Sequence, residues 1–473
     1  PTDNNGSLVG FKAGQQSTIA PGAPTGLLFN GDQGTVPAVF RNNYKDFAPR
    51  VGFAYNVAGR GDTVVRGAFG LFYGFPEGLL YQRTNATQPV DLYYQISAPT
   101  GTWDNVYAGI PGGTPFPRAH VDPSQFKNYS FITPVSGGAL NPASHVAYTE
   151  AYNLSLSQKL PGNFALEIGY VGNHALHVMG SRQFNPGVCA AGVPCPTLDN
   201  STCTTCTIKN VNTRRLYPGL GKMELADAYE YAIYNSLQTT VTHRVSRGLT
   251  LIANLVWAKV IDNGSAGSEG TAGPSNPFNF NTTRGPADYD QRIRSNIAAN
   301  YRFKDYAHRP LAAFFANGWQ ANVIVQSQSG LPFTVTSGTD RSLSGTGNDY
   351  ADAVPGQNPR RPAGVDFKNQ YFNTAAFTPA RLGTFGNVHR NNITGPGYEE
   401  LDGSIFKDFF AHSRVHGRFQ AEGFNLFNHP NFANPNASAN SGTFGKITAT
   451  ATSTGSGTTG LNRLFQFGAK IIF

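Results

Sequence analysis

The chain ends on RLFQFGAKIIF, residues 463–473, and the reading of this stretch decides the fold. Side chains alternate along an extended strand. Phe465, Phe467, Ala469, Ile471 and Phe473 therefore fall on one side, and Leu464, Gln466, Gly468, Lys470 and Ile472 on the other. The first set is uniformly apolar, whereas the second mixes polar, small and aliphatic residues. A soluble edge or core strand shares this pattern with the closing stave of a barrel whose outer wall faces lipid. The rest of the chain has to separate the two.

Composition narrows the choice. The 473 residues include 54 Gly, 34 Phe and 21 Tyr, and charged residues make up 14% against a usual level near ~25%. No stretch approaches the ~18 consecutive apolar residues that a spanning helix needs, and mean hydropathy is −0.30. Transmembrane strands give such an average because only every second residue meets lipid. A secreted Asn- and Gly-rich β-protein gives it too. The net charge of +8 is scattered singly, without a Lys/Arg cluster or a recognisable binding module. Anionic lipid head groups are thus the expected attraction, and nucleic acid is not. The opening PTDNNGSLVGFKAGQQ lacks the basic and apolar regions of a signal peptide, which reads as a processed or truncated start.

Paired alternating segments recur along the chain. APRVGFAYNV (48–57) is followed after a short turn by TVVRGAFGLFYGF (63–75), and AYTEAYNLSLSQKL (147–160) returns after PGN as FALEIGYVG (164–172). YNSLQTTVTHRVSRGLTLIANLVWAKVID (234–262) turns at Arg247-Gly248, and DYDQRIRSNIAANYRF (288–303) leads to FFANGWQANVIVQSQSGLPFTV (314–335). DGSIFKDFFA (402–411), HSRVHGRFQAEGFNLFNHP (412–430) and the C-terminal strand complete twelve to fourteen candidate strands. Residues 1–46, 75–145 and 173–225 read as long loops. Soluble domains rarely carry structureless loops beyond ~15 residues. Outer-membrane barrels alternate short periplasmic turns with long extracellular loops as a rule. The expected fold is an all-β, antiparallel transmembrane barrel.

Four cysteines, Cys189, Cys195, Cys203 and Cys206, lie in CAAGVPCPTLDNSTCTTC, inside an expected extracellular loop at 180–225. The spacing lacks the two-knuckle CxxC…CxxC form of zinc sites, so an oxidised, stapled loop is expected, with three pairings open. No catalytic motif is present: His174 and His177 in GNHALHV are the nearest histidine pair, and nothing resembles GxSxG or a P-loop. Asp288, Asp290, Arg292 and Arg294 are spaced by two, which on one strand makes a charged ladder facing a lumen or water. Arg66, Glu167 and Lys259 are expected to face the lumen likewise. ADAYEYAIY (226–234) reads as an aromatic loop suited to stacking a carbohydrate or aromatic ligand.

The phrases APRVGFAYNVAGRGDTVVRGAFGLFY, DYDQRIRSNIAANY, GWQANVIVQSQSGLPFTV, YFNTAAFTPARLGTFGNVHRNNITGPGYEELDGSIFKDF and FQAEGFNLFNHPNF resemble Oar-like TonB-dependent outer-membrane transporters, in family order and over nearly the whole chain. That resemblance implies a carboxypeptidase-regulatory-like domain, a plug and a 22-stranded barrel. Residues 1–473 correspond to the C-terminal part of the barrel only. It further implies a non-enzyme without cofactor, sited in the outer membrane among lipid and lipopolysaccharide. The barrel assembly machinery is an implied partner, with Phe465, Phe467, Ile471 and Phe473 resembling the signal it reads. TonB would be met only through N-terminal parts not seen in these residues. The implied function is uptake of a bulky, unidentified substrate; the alternative is a structural or adhesive surface β-protein without active transport.

Overall fold

The computed structural model describes residues 8–35, 44–57, 59, 61–74, 86–91, 101–108, 113–114, 121–189, 200–246, 248–265, 275–409, 416–451 and 462–473. Two short strands, β1 (Val9–Phe11) and β2 (Leu27–Phe29), come first. β3 (Arg50–Val57) and β4 (Thr63–Tyr73) form the first long hairpin. β5 (Val135–Leu140) precedes the hairpin of β6 (Tyr148–Leu160) and β7 (Phe164–Gln183). β8 (Leu220–Ser246) and β9 (Leu249–Asp262) follow, then the two-residue β10 (Gly285–Pro286). β11 (Ile293–Arg302) and β12 (Trp319–Gln328) pair next. Four two-residue strands, β13 (Pro332–Phe333), β14 (Asp352–Ala353), β15 (Phe377–Thr378) and β16 (Ile393–Thr394), lie within one loop. β17 (Tyr398–Phe409), β18 (His416–Phe424) and β19 (Leu464–Ile472) end the chain.

Among the described residues, eleven of these strands form a continuous antiparallel path in the order β19-β18-β17-β12-β11-β9-β8-β7-β6-β4-β3, and β1, β2, β5 and β10 attach beside it to make a fifteen-stranded sheet. Successive strands are neighbours throughout. They are joined at one end by short turns such as Pro161–Asn163, and at the other by loops at 74–147, 184–219, 263–292, 329–397 and 425–463. Among the described residues, the edge strands β3 and β19 do not pair with each other.

Register fixes two chemically opposite faces, because paired residues share a face. One row runs Asn56, Val64, Ser157, Glu167, Thr240, Asn254, Asn296, Gln326 and Glu400 across nine strands and is polar at all but one position. On the opposite face, Leu249, Tyr301, Ala321, Ile405, Ala421 and Phe467 form an unbroken apolar row. Large apolar side chains of that face, including Phe53, Leu154, Leu237, Trp257 and Phe467, are exposed. Sheets in water hide such a face, so an apolar solvent must cover it. Along β9, Leu249 to Trp257 spans about 26 Å at ~3.3 Å per residue, or about 20 Å for a strand tilted by ~40°. That approaches the ~25 Å apolar band of outer-membrane barrels. No helix among the described residues is long and apolar enough to cross a membrane.

The protein's cores lie beyond the apolar band, at the long-loop end. β1, β2, β5 and the start of β8 enclose Val9, Leu27, Phe29, Phe126, Leu220 and Met223. Residues 8–35, expected as loop, are thus folded. A second core joins Phe333, Val335, Phe372 and Phe377 of the 329–397 loop to Ala437 and Phe444 of the 425–463 loop. β7 and β8 overshoot the apolar band to carry these caps. With 27 residues at ~3.3 Å each, β8 is about 90 Å long, several times the length needed to cross.

Candidate functional site

The polar face of the sheet and the folded loops above it make one candidate surface for handling a solute. On the face, Arg66 Nη1 donates to Ser157 Oγ at 2.8 Å, and Ser157 Oγ donates to Glu167 Oε2 at 3.5 Å. Thr240 Oγ1 continues the line by donating to Asn254 Oδ1 at 2.9 Å. Arg66 and Glu167 therefore share the polar face across three strands. A second stretch, over β12, β17 and β18, is a concavity lined by Asn322, Asp402, Ser404 and Glu422 with Ile324 and Phe406. Its groups offer oxygen and amide contacts for a polar solute.

Lys259 is on the other side. It shares parity in β9 with Leu255 and Trp257 and is exposed on the apolar face. It lies one register step beyond Trp257, where a long cationic side chain reaches from the apolar band to the head groups. The charged ladder also does not form. β11 starts at Ile293, so Arg294 alone of the four lies in a strand, on the polar face. A turn closed by Asp290 N donating to Ala287 O at 2.9 Å precedes it. The buried Asp290 carboxylate accepts from Val260 N at 2.7 Å, standing in for the backbone partner that β11 has not yet reached, and pairs with Arg292 Nε at 2.8 Å. Asp288 turns instead towards Arg390.

Arg390 is the hub of a buried cluster that sequence reasoning missed. It comes from the 329–397 loop and pairs through Nη1 with Asp262 at the end of β9 and through Nη2 with Asp288 at 2.8 Å. Asn391 Nδ2 adds bonds to Pro286 O at 2.8 Å and Asp288 Oδ1 at 2.6 Å. Burial opposes the guanidinium's charge, but the hydrogen bond and charge of Asp262 outweigh it and raise the Arg390 pKa. Nearby, the buried Glu230 of β8 has its carboxylate wedged between two glycines. A Cβ at Gly180 or Gly264 would lie 2.2 Å from it, so a larger residue at either position displaces this carboxylate.

Further buried arginines knit the 184–219 loop to the 329–397 loop. Arg214 donates to Val188 O at 2.8 Å and Leu343 O at 2.7 Å, and Arg215 Nη1 to Asn185 O at 2.8 Å and Ser344 O at 3.3 Å. Burial lowers the Arg215 pKa to about 10 despite the charge of Asp340. Burial likewise lifts the Asp349 carboxyl to about 7. In the first cap, Asp32 accepts from Ser17 Oγ, Thr18 N, Thr18 Oγ1 and Phe29 N at 2.6–2.8 Å. Burial opposes its charge, but these donors together hold its pKa below the ordinary value. The available signal was weak: charges set singly or in pairs among mostly polar, uncharged loop residues.

Of the cysteines, Cys203 and Cys206 form a disulfide. Cys189 Sγ lies 3.1 Å from Asn200 Oδ1, and Cys195 lies outside the described residues. His174 sits in β7 with Nδ1 3.6 Å from Glu150, and no group of three His, Cys, Asp or Glu among the described residues is placed to hold a metal. ADAYEYAIY is strand rather than loop: all of 226–234 belongs to β8, and Tyr229 stacks on Phe280 at 5.1 Å. The Tyr229 ring is thus committed to the protein. Phe465, Phe467, Ile471 and Phe473 are exposed, and Phe467 stacks on Phe419 of the apolar face at 6.4 Å.

Three solved structures are similar to this chain. The outer membrane transporter YddB of Escherichia coli is 8% identical, with 89% of this chain and 40% of that one covered at a TM-score of 0.44. The ferric enterobactin receptor PfeA of Pseudomonas aeruginosa is 9% identical, covering 90% and 40% at 0.41. The FrpB iron transporter of Neisseria meningitidis is 9% identical, covering 89% and 39% at 0.36. The chain thus spans about two fifths of their length. Among curated proteins none matches the sequence. The family model of the outer membrane beta barrel domain matches residues 1–466. With its strands, opposite faces and loops arranged as described, the chain belongs to the outer membrane β-barrel domain family, and its place is the outer membrane.

Proposed function

We propose that this chain is barrel wall and extracellular cap of an Oar-like TonB-dependent transporter that takes up a bulky substrate. The observation that carries the reading is the eleven-strand path, polar on one face and apolar on the other, whose edges β3 and β19 have no partner strand among the described residues. Open strand edges are not tolerated in lipid. A barrel of 22 strands, twice this path, is the size that encloses a plug. In this reading, strands outside the 473 residues pair with both edges, the polar face lines the path beside a plug, and the folded loops receive the substrate outside. TonB acts on the plug, not on this wall. The charges Arg66, Glu167 and Arg294 line the path. The apolar C-terminal face with Phe465, Phe467, Ile471 and Phe473 serves as the barrel assembly signal, and Cys203–Cys206 staples an extracellular loop.

The test is to isolate the protein from outer membranes of the producing cell with an antibody to residues 329–397, then measure intact mass and sequence the N-terminus. A longer polypeptide with a plug and a TonB-contacting segment is expected. A mature polypeptide of these 473 residues alone would overturn transport and favour the structural or adhesive reading.

A further inference from the structure

The short turns that join neighbouring strands use a few residues, except between β11 and β12. There the chain takes residues 303–318 and folds part of them into a helix, Pro310–Ala316, of sequence PLAAFFA. Pro310 sits at the first helical position, where its fixed φ and missing N–H cost nothing. Asn317 then closes the segment on itself. Its Oδ1 accepts from Tyr306 N and Ala307 N, both at 3.0 Å, and its Nδ2 donates to Ala307 O at 2.8 Å. Trp319 Nε1 donates to Phe315 O at 2.8 Å, and Lys407 Nζ donates to Asn317 O. The segment is therefore held in one shape.

That shape is directed to one side of the sheet. The Phe314 ring lies 5.0 Å from Phe409, and Phe409 shares parity with Ile405 on the apolar face. Leu311, Phe314 and Phe315 are spaced i, i+3, i+4 and form one helical stripe. Phe314 is anchored, whereas Leu311 is 76% exposed, Phe315 64% and the preceding Tyr306 71%. Lys304, His308 and Arg309 are exposed around the same segment. An apolar stripe rimmed by cations is the pattern of a helix lying in a membrane interface.

We propose that residues 303–318 form an interfacial anchor, with Leu311 and Phe315 inserted among the acyl chains of the leaflet at the short-turn end and Lys304 and Arg309 on anionic phospholipid head groups. Two observations select lipid as the occupant: the stripe is continuous with the apolar outer face through Phe314 and Phe409, and the cations match a phosphate surface. The inference needs the outer-membrane placement only and is independent of transport.

Depth-resolved fluorescence quenching tests it. The protein, carrying Trp103→Phe and Trp257→Phe, is reconstituted in phospholipid vesicles with and without Leu311→Trp. Bromine is placed on the acyl chains close to the head group or close to the chain end. The Leu311→Trp signal is expected to be quenched at least twofold more by the shallow bromine. Adding phosphatidylglycerol should strengthen that quenching, and Lys304→Gln with Arg309→Gln should abolish the increase. A separate Trp103→Phe variant retains Trp257 on the apolar face as a reporter of insertion. If Trp257 is quenched while Leu311→Trp is not, the anchor is overturned and the stripe belongs to a protein partner on the periplasmic side. Quenching that ignores the anionic lipid fraction overturns the head-group contact.

Discussion

Replacing Arg390 with alanine removes the cation from a pair in which Asp262 is 0% and Arg390 8% exposed. The Asp262 carboxylate then stays buried without its cation, close to the buried Glu230, whose carboxyl is raised to about 8 by burial and then by the Asp262 charge. Breaking a buried pair from one side costs ~3–5 kcal/mol, because the remaining charge keeps its desolvation penalty. Asp288 contributes little to that figure, since its side chain is more than half exposed and rehydrates. The loss falls on the docking of the 329–397 loop, because the partners of Arg390 all come from residues 262–288. Native-state proteolysis reports such local opening directly when reclosing is fast. Cleavage within 329–397 is expected to accelerate by about 150-fold or more, from ~3 kcal/mol at ~1.4 kcal/mol per tenfold. The heat-resistant, folded migration of the barrel on a gel should persist. A double variant, Arg390→Met with Asp262→Leu, should recover most of the protection, since apolar replacement of both partners removes the desolvation cost. Cleavage within threefold of the parent would refute the reasoning, as would a double variant no better protected than Arg390→Ala.

Three further outcomes follow from the same geometry. Asp32→Ala deletes the acceptor for Ser17, Thr18 and Phe29 and should destabilise the first cap by ~2–4 kcal/mol; hydrogen exchange at Thr18 and Phe29 N–H reads it, and unchanged protection contradicts it. The folded pKa of Asp349, about 7, stands above its ordinary value, so the folded state holds the extra proton. Loop stability should therefore be full below pH ~4, fall by up to ~1.4 kcal/mol per pH unit towards pH 7, and level off above it; Asp349→Asn should flatten this profile in a pH series of native-state proteolysis. Leu154 is 53% exposed on the apolar face and Asn153, paired with Ala68 and Val171, lies on the polar one, so Leu154→Arg should cost ~2–4 kcal/mol in vesicle unfolding experiments and Asn153→Arg almost nothing. Equal costs would invert the assignment of faces.

The parts of this protein that could be read from sequence are those in which the determining information is local. Alternation at i, i+2 identifies APRVGFAYNV or LTLIANLVWAKVID as strands without knowledge of their partners, and a turn of two or three residues forces adjacent strands to pair. Where a local irregularity breaks parity, the reading stops too soon. β7 was expected to end near Gly172, yet it continues to Gln183 through register shifts between Ala175 and Gly180. At His177 the backbone takes φ 56°. Each shift moves the following side chains to the other face, so the alternation vanishes although the strand does not. The same break made ADAYEYAIY resemble a loop, since it faces this irregular stretch of β7. The caps were illegible for a different reason: their apolar residues have no period and meet only after long chain closures. Arg390 and Asp262, for instance, are 128 residues apart. One inference was nevertheless open from chemistry alone. A lone arginine in the uncharged run FGNVHRNNITGPGY has no neighbour to neutralise it, and a folded loop that buries it has to supply a carboxylate, as Asp262 does here, or converging carbonyl oxygens, as for Arg214. The loop's apolar content, Phe372, Phe377 and Phe385 among them, argues that it folds and buries something. Together these two facts call for acceptors from another part of the chain, and Asp262, at the rim of β9 where the strand leaves the apolar band, supplies the charged one.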